Sequence, residues 1–291
     1  MIRDDINQLV EEITKTHPED EIFQAKKDFL KISGEIFEDD KSYESRIGSF
    51  LEWYTFERPH PDSGLTPVQS YLQSHGESLT QETRELAQAI SQNIHSLFTA
   101  KKIKSDYVVV LDILDDKKYE VKENQGPMLF NYEDIFEGRL IPYNGHYYFT
   151  DHFCYHPKPT VGFIKSRVKI LRVKEEEALN LEKKLQKNLL GPQKSLGKVL
   201  AKLEKLRGKL EGITKENKID SLKKEIDELE NQKNQFETQI SEIENQLTEL
   251  RTEIIEGEHN RNRFTFIRKL SYMSLKWERS RQIDVRDIYQ D

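Results

Sequence analysis

Apolar positions in the second half of the chain, interrupted by Glu182 and Lys233, recur in alternating steps of three and four. Ala178, Glu182, Leu185, Leu189, Pro192, Leu196, Val199, Leu203, Leu206, Leu210 and Ile213 form one series. Ile219, Leu222, Ile226, Leu229, Lys233, Phe236, Ile240, Ile243, Leu247, Leu250 and Ile254 form the other. Each reads as the seam of a heptad helix. The link at 214–218 is short and polar, which makes the two helices antiparallel neighbours. The register that follows sets Leu210 opposite Leu222, Leu206 opposite Ile226, Leu203 opposite Leu229 and Leu196 opposite Phe236. Further along it sets Leu189 opposite Ile243, Leu185 opposite Leu247 and Ala178 opposite Ile254, so seam meets seam throughout. Pro192, expected opposite Ile240, removes a backbone donor and clashes with the turn before it. The pattern therefore predicts a kink or a break at 190–193. The competing arrangement is one long helix that dimerises in parallel. It places like-charged segments side by side and gives no reason for matched seam lengths.

Upstream the pattern has two regimes. Over residues 1–100 it is helical. Thr16, followed by Pro18, opens a helix to about Phe37, with Ile22, Ala25, Phe29, Ile32 and Ile36 as its stripe. Tyr43, Ile47, Phe50, Leu51 and Tyr54 mark a second helix. Thr66-Pro67 opens a third, to about Ser74. A capping box at Ser78 and Gln81 opens a fourth, with Leu86, Ile90, Ile94 and Leu97 facing inward. From 105 to 157 the period falls to two. The runs YVVVLDIL, KYEVKE, MLF, DIFEGRLIPY and HYYFTDHFCYH read as five short strands, with Asn144-Gly145 as a hairpin turn. Such a set suggests a small curled sheet or barrel of SH3-like or OB-like size.

The expected fold is mostly α within the α+β class. It has an N-terminal helical domain (1–104), a small β module with its connecting segment (105–171) and a protruding antiparallel coiled-coil hairpin (172–258, turn at about 214–218). A C-terminal segment (259–291) packs back on the globular head.

Composition sharpens this picture. The 291 residues are 33% charged and 35% hydrophobic, with a mean hydropathy of -0.78. That balance puts the excess charge in an elongated or well-solvated part. The net charge is -7, which argues weakly against bulk nucleic-acid binding. Residues 172–213 hold 11 Lys/Arg and 6 Asp/Glu, whereas 219–258 hold 4 and 12. A positive helix beside a negative one favours the hairpin over self-association of either. No run approaches the length of a membrane helix, and the first residues lack the pattern of a signal peptide, so no membrane insertion is expected. The single cysteine, Cys154, excludes an internal disulfide and fits a reducing compartment.

Three segments carry candidate chemistry. His152, Cys154 and His156 share one face if DHFCYHP is an unbroken strand, and imidazole and thiolate are zinc ligands. Their spread of about 13 Å along a strand is too wide for one metal without a bend. Arg58 and His60 follow the aromatic run WYTF in a long loop and could line a pocket near Trp53, although pairing of Arg58 with an N-terminal acid is the simpler account. Residues 261–282 interleave Arg261, Arg263, Arg268 and Lys269 with Phe264, Phe266, Tyr272 and Trp277. That mixture suits single-stranded nucleic acid. The same residues give an apolar stripe of Phe266, Leu270, Met273 and Trp277, with Ile267 and Ser274, that would dock on the head.

No complete catalytic motif occurs, and no cofactor is implied. The sequence points to a non-enzymatic cytoplasmic interaction or scaffolding protein that engages a macromolecular partner through its coiled-coil arm. The alternative is a nucleic-acid-associated factor that contacts phosphates through 261–282 and the β module. Partner identity and homo-oligomerisation stay open.

Overall fold

The helical periodicity of the N-terminal part folds as α1 (Ile2–Lys15), α2 (Glu19–Ser33), α3 (Tyr43–Phe56), α4 (Pro67–His75) and α5 (Gln81–Ile90). These elements come from a computed structural model that describes residues 2–122, 130–211, 216–280 and 282–290. Three boundaries differ from expectation. Helix α2 stops at Ser33 rather than near Phe37, because Gly34 adopts φ 81° and the Tyr272 ring lies against it where a Cβ would stand. Helix α1 occupies the residues before Thr16, whose hydroxyl donates to the Ile13 carbonyl, so Thr16 closes one helix instead of capping the next. Thr80, not Ser78, caps α5 by accepting from the Thr83 amide. Thr66 and Gln69 form a full capping box at α4.

Helix α5 ends at Ile90, and Ile94 and Leu97 belong to β1 (Ile94–Ile103) rather than to that helix. The following strands are β2 (Tyr107–Asp112), β3 (Lys117–Lys122), β4 (Ile135–Tyr143), β5 (His146–Phe149) and β6 (Cys154–His156). Strands β1, β2 and β3 pair antiparallel, β3 runs parallel to β5, and β4 pairs antiparallel with both β5 and β1. The ring therefore closes in the order β1-β2-β3-β5-β4, the connectivity of an OB-type barrel, with β6 added on β4. Asn144 and Gly145, at φ 50° and 74°, make the hairpin between β4 and β5. Phe98, Val108, Val110, Val121, Phe136 and Phe149 fill the barrel. The MLF run falls largely outside the described residues.

Helices α1, α3, α4 and α5 bury Ile6, Leu9, Ile13, Phe56, Val68 and Ile90 against Ile141 of β4. A second core joins α2 to α3 through Phe29, Phe50 and Tyr54.

Helix α6 (Val161–Leu210) and α7 (Glu216–Glu249) follow, then a π-helical stretch (Leu250–Glu258), α8 (His259–Arg279) and the short α9 (Val285–Ile288). The chain divides into one unit of Met1–Ile170 with Phe264–Asp291 and another of Leu171–Arg263. The second unit is the antiparallel coiled-coil hairpin. Val199, Leu203 and Leu206 pack against Ile226 and Leu229, with Leu210, Leu222 and Phe236 beside them. Lys202 pairs with Glu225 at 3.1 Å and Arg207 with Glu230 at 2.6 Å, so positive α6 meets negative α7, while Arg251 of the π-helical stretch pairs in the opposite sense with Glu182 of α6 at 2.6 Å. Two expectations change. Of the kink or break expected at 190–193 the break is absent, since helix α6 runs through Pro192, and residues 216–218 of the assigned link already belong to α7. Ile213 and 214–215 lie outside the described residues.

Within the first unit, α8 packs on the helices and barrel through Ile267, Arg268, Leu270, Ser271 and Leu275. Phe264 stacks on Trp53 at 5.5 Å. Of the expected stripe, Ile267 and Leu270 are buried, whereas Phe266, Met273 and Trp277 are only half-buried, so the docked face is rotated toward Arg268, Ser271 and Leu275. Among the described residues no helix is long and apolar enough to cross a membrane.

Candidate functional site

Strand β4 places Glu137 and Arg139 on its outer face, because Phe136 and Leu140 take the barrel interior. Helix α3 brings Ser49 and Glu52, the residue after it is Glu57, β1 brings His95, and α8 brings Arg268 and Ser271. All but Glu57 are buried or nearly so. Arg139 donates to Glu57 at 2.8 Å and to Glu52 at 3.0 Å. Glu137 receives the Arg268 guanidinium and the Ser271 hydroxyl. Arg268 also donates to Ser49 at 3.1 Å and lies over the Phe29 ring at 5.0 Å. The Nε2 of His95 is 2.9 Å from Glu137 and 2.7 Å from Arg268, and its Nδ1 is 3.6 Å from Glu57. Arg46 closes the group by donating to the Ser271 carbonyl at 2.7 Å.

The electrostatics follow from this crowding. Burial, reinforced by Arg139, holds the His95 imidazole down at about 4. Burial pushes the Glu57 carboxyl up, but Arg139 and His95 outweigh it and hold Glu57 well below the usual carboxylate range. Burial lowers Arg268 to about 10. Carboxylates and guanidiniums thus nearly cancel around a neutral imidazole. Among the described residues, Glu52 Oε1, Arg139 Nη2 and Arg268 Nε find no hydrogen-bond partner. The adjacent cavity, lined by Arg46, Ser49, Glu137, Cys154, Arg268 and Ser271, offers about 20 Å³, roughly the room of one water. The arrangement suits a clamp. It ties α3, β1, β4 and α8 together through charges that compensate one another.

The residues singled out in the sequence go to separate places. Arg58 donates to Glu21 at 3.1 Å, sharing that oxygen with the Tyr54 hydroxyl. His60 and His17 approach the same carboxylate at 3.9 and 3.7 Å beside a surface hollow. Arg58 and His60 do come together, on an N-terminal acid, while Trp53 turns to Phe264. The metal candidates separate, because the strand breaks between Phe149 and Cys154. His152 lies on Gly48, 3.9 Å from Glu52, in the space a Cβ there would fill. His156 is held by the Tyr289 hydroxyl at 3.0 Å, and burial and Arg46 lower it to about 3. Cys154 borders the small cavity. Among the described residues no three His, Cys, Asp or Glu side chains group so as to hold a metal ion. Of the basic segment, Arg263 makes a two-pronged pair with Glu175, Arg268 is buried in the clamp, Arg261 and Lys269 are exposed, and Trp277 is half-buried.

The sequence reading missed Glu52, Glu57, His95, Glu137, Arg139 and Ser271. One signal was present: Glu137 and Arg139 alternate inside an otherwise apolar strand, a pattern that calls for buried partners.

Fold and site together define a class: a small closed barrel under a helical shell, locked by an internal ion network, in a chain that also carries a coiled-coil hairpin. The chain belongs to DUF7986, a family of unknown function, whose model matches residues 1–188. No curated protein and no solved structure matches it.

Proposed function

We propose that this chain is a non-enzymatic interaction or scaffolding protein of the cytoplasm, and that its coiled-coil hairpin engages a macromolecular partner. The observation that carries this reading is the apolar surface the hairpin shows apart from its own seam. Leu179, Leu181, Leu190 and Leu200 are 43%, 46%, 64% and 44% exposed on α6. Leu179, Leu190 and Leu200 lie on one flank of the helix beside the seam, with Leu181 on the other flank, and an apolar strip of this kind supports a surface that a partner covers. The compensated charges and water-sized cavity of the clamp fit a folded support better than a reaction centre.

The test is proximity labelling in cells with the full chain and with a variant carrying Leu190→Glu and Leu200→Glu. Circular dichroism first establishes equal helicity. The variant is expected to lose the proteins that the unaltered chain labels most strongly. An identical labelled set would contradict the reading.

A further inference from the structure

The outer face of the barrel over β2 and β3 is built differently from the face that carries the clamp. Val108, Val110 and Asp112 of β2 point inward, leaving Tyr107, Val109 and Leu111 half-exposed outside. Tyr119 and Val121 of β3 point inward, leaving Lys118, Glu120 and Lys122 exposed. The register sets Tyr107 beside Lys122, Val109 beside Glu120 and Leu111 beside Lys118. Beyond its bulge β1 adds Lys102 next to Val109. The ammonium of Lys102 donates to the Tyr107 hydroxyl at 3.0 Å and lies 5.4 Å from the centre of that ring. His146 of β5 continues the face, 3.1 Å from the Lys122 ammonium. The result is an aromatic and aliphatic floor with Lys102, Lys118 and Lys122 around it and Glu120 as the one outward acid among the described residues of β2 and β3. Successive outward positions on a strand stand about 6.6 Å apart, so Lys118 and Lys122 present two cations along one edge of the floor.

From this geometry we infer that the β2–β3 face binds single-stranded nucleic acid. A base stacks on Tyr107 and its neighbours pack on Val109 and Leu111, while Lys102, Lys118 and Lys122 meet the backbone phosphates. The apolar floor needs exposed base faces, which a duplex hides. The lysines need a polyanion, which an ordinary amphipathic helix does not supply. Barrels of this connectivity present this same pair of strands to oligonucleotides, but the assignment rests on the side chains. It is independent of the hairpin and of residues 261–282, where Arg268 and Phe264 are taken up in internal packing.

The test titrates the full chain against a fluorescein-labelled 12-mer of deoxythymidine, a 12-base-pair duplex and polyglutamate, over a series of salt concentrations. The single strand is expected to bind best, with a slope of about −2 in log affinity against log salt for three phosphate contacts. Lys118→Glu with Lys122→Glu should weaken binding at least tenfold and flatten the slope. Tyr107→Ala should lose about 5- to 100-fold, as expected for one stacked base, while Tyr107→Phe retains binding. These are outward side chains, and an unchanged Tm shows that each variant is folded. Absence of binding at low salt overturns the inference. So does equal affinity for duplex or polyglutamate, or a Lys118/Lys122 variant that binds like the unaltered chain.

Discussion

Arg139 is fully buried between Glu52 and Glu57, and among the described residues no other cation hydrogen-bonds both. Replacing it by Met leaves two carboxylates without their partner, and a broken buried pair costs about 3–5 kcal/mol. Urea unfolding should show that loss, whereas a change below 1 kcal/mol would mean water already satisfies the acids. The buried histidines set the acid response. In the unfolded chain an imidazole takes up its proton near pH 6.5. In the fold His95 does so only at about 4 and His156 at about 3. The unfolded chain binds more protons between those values, so stability is full above about pH 6.5 and declines as pH falls toward 4. Urea midpoints at pH 7.5 and 5 check the sign, and His156→Gln should remove part of the decline. A midpoint independent of pH would contradict the burial of both rings. At this scale the sequence was hard to read. His152 and His156 looked like neighbours on a strand, but the chain bends between β5 and β6 and sends one ring to Gly48 and the other to Tyr289.

Helices were more legible than their irregularities. The heptad pattern yielded the pairing of Leu203 and Leu206 with Ile226 and Leu229, because apolar spacing is a local signal with a geometric consequence. The response of the helix to Pro192 was not legible. The expected break is absent, and the half-buried state of Leu185, Leu189, Leu196, Ile240 and Ile243 shows a looser seam around it. Pro192 still deprives the Asn188 carbonyl of its helical partner. Pro192→Ala should therefore stabilise the hairpin by up to about 3 kcal/mol, seen as slower amide exchange over 185–200. Unchanged or faster exchange would show that the proline ring packs better than a methyl group. The π-helical stretch was also invisible in advance. It covers Ile254 and runs from Leu250 to Glu258, and no side-chain pattern announces such a change in helix type. In α8 the stripe was right at Ile267 and Leu270 but missed the burial of Arg268, which counted as surface and whose burial Glu137 and the Phe29 ring make tolerable.

For the molecule as a whole, the sequence identified a small curled β module but not its closure. The parallel pairing of β3 with β5 joins residues far apart in the chain, and Val121 and Tyr147 carry no local sign of it. The hairpin was legible because its two seams match each other in length and oppose each other in charge. The proposed role depends on that hairpin forming within one chain, with its leucines turned outward. The direct measurement places Leu206→Cys and Ile226→Cys in a Cys154→Ser background and oxidises the dilute protein. Non-reducing electrophoresis should show a faster-migrating single chain of 34.4 kDa, with peptide mapping joining 206 to 226. Cross-links only between chains, or none, would contradict the account.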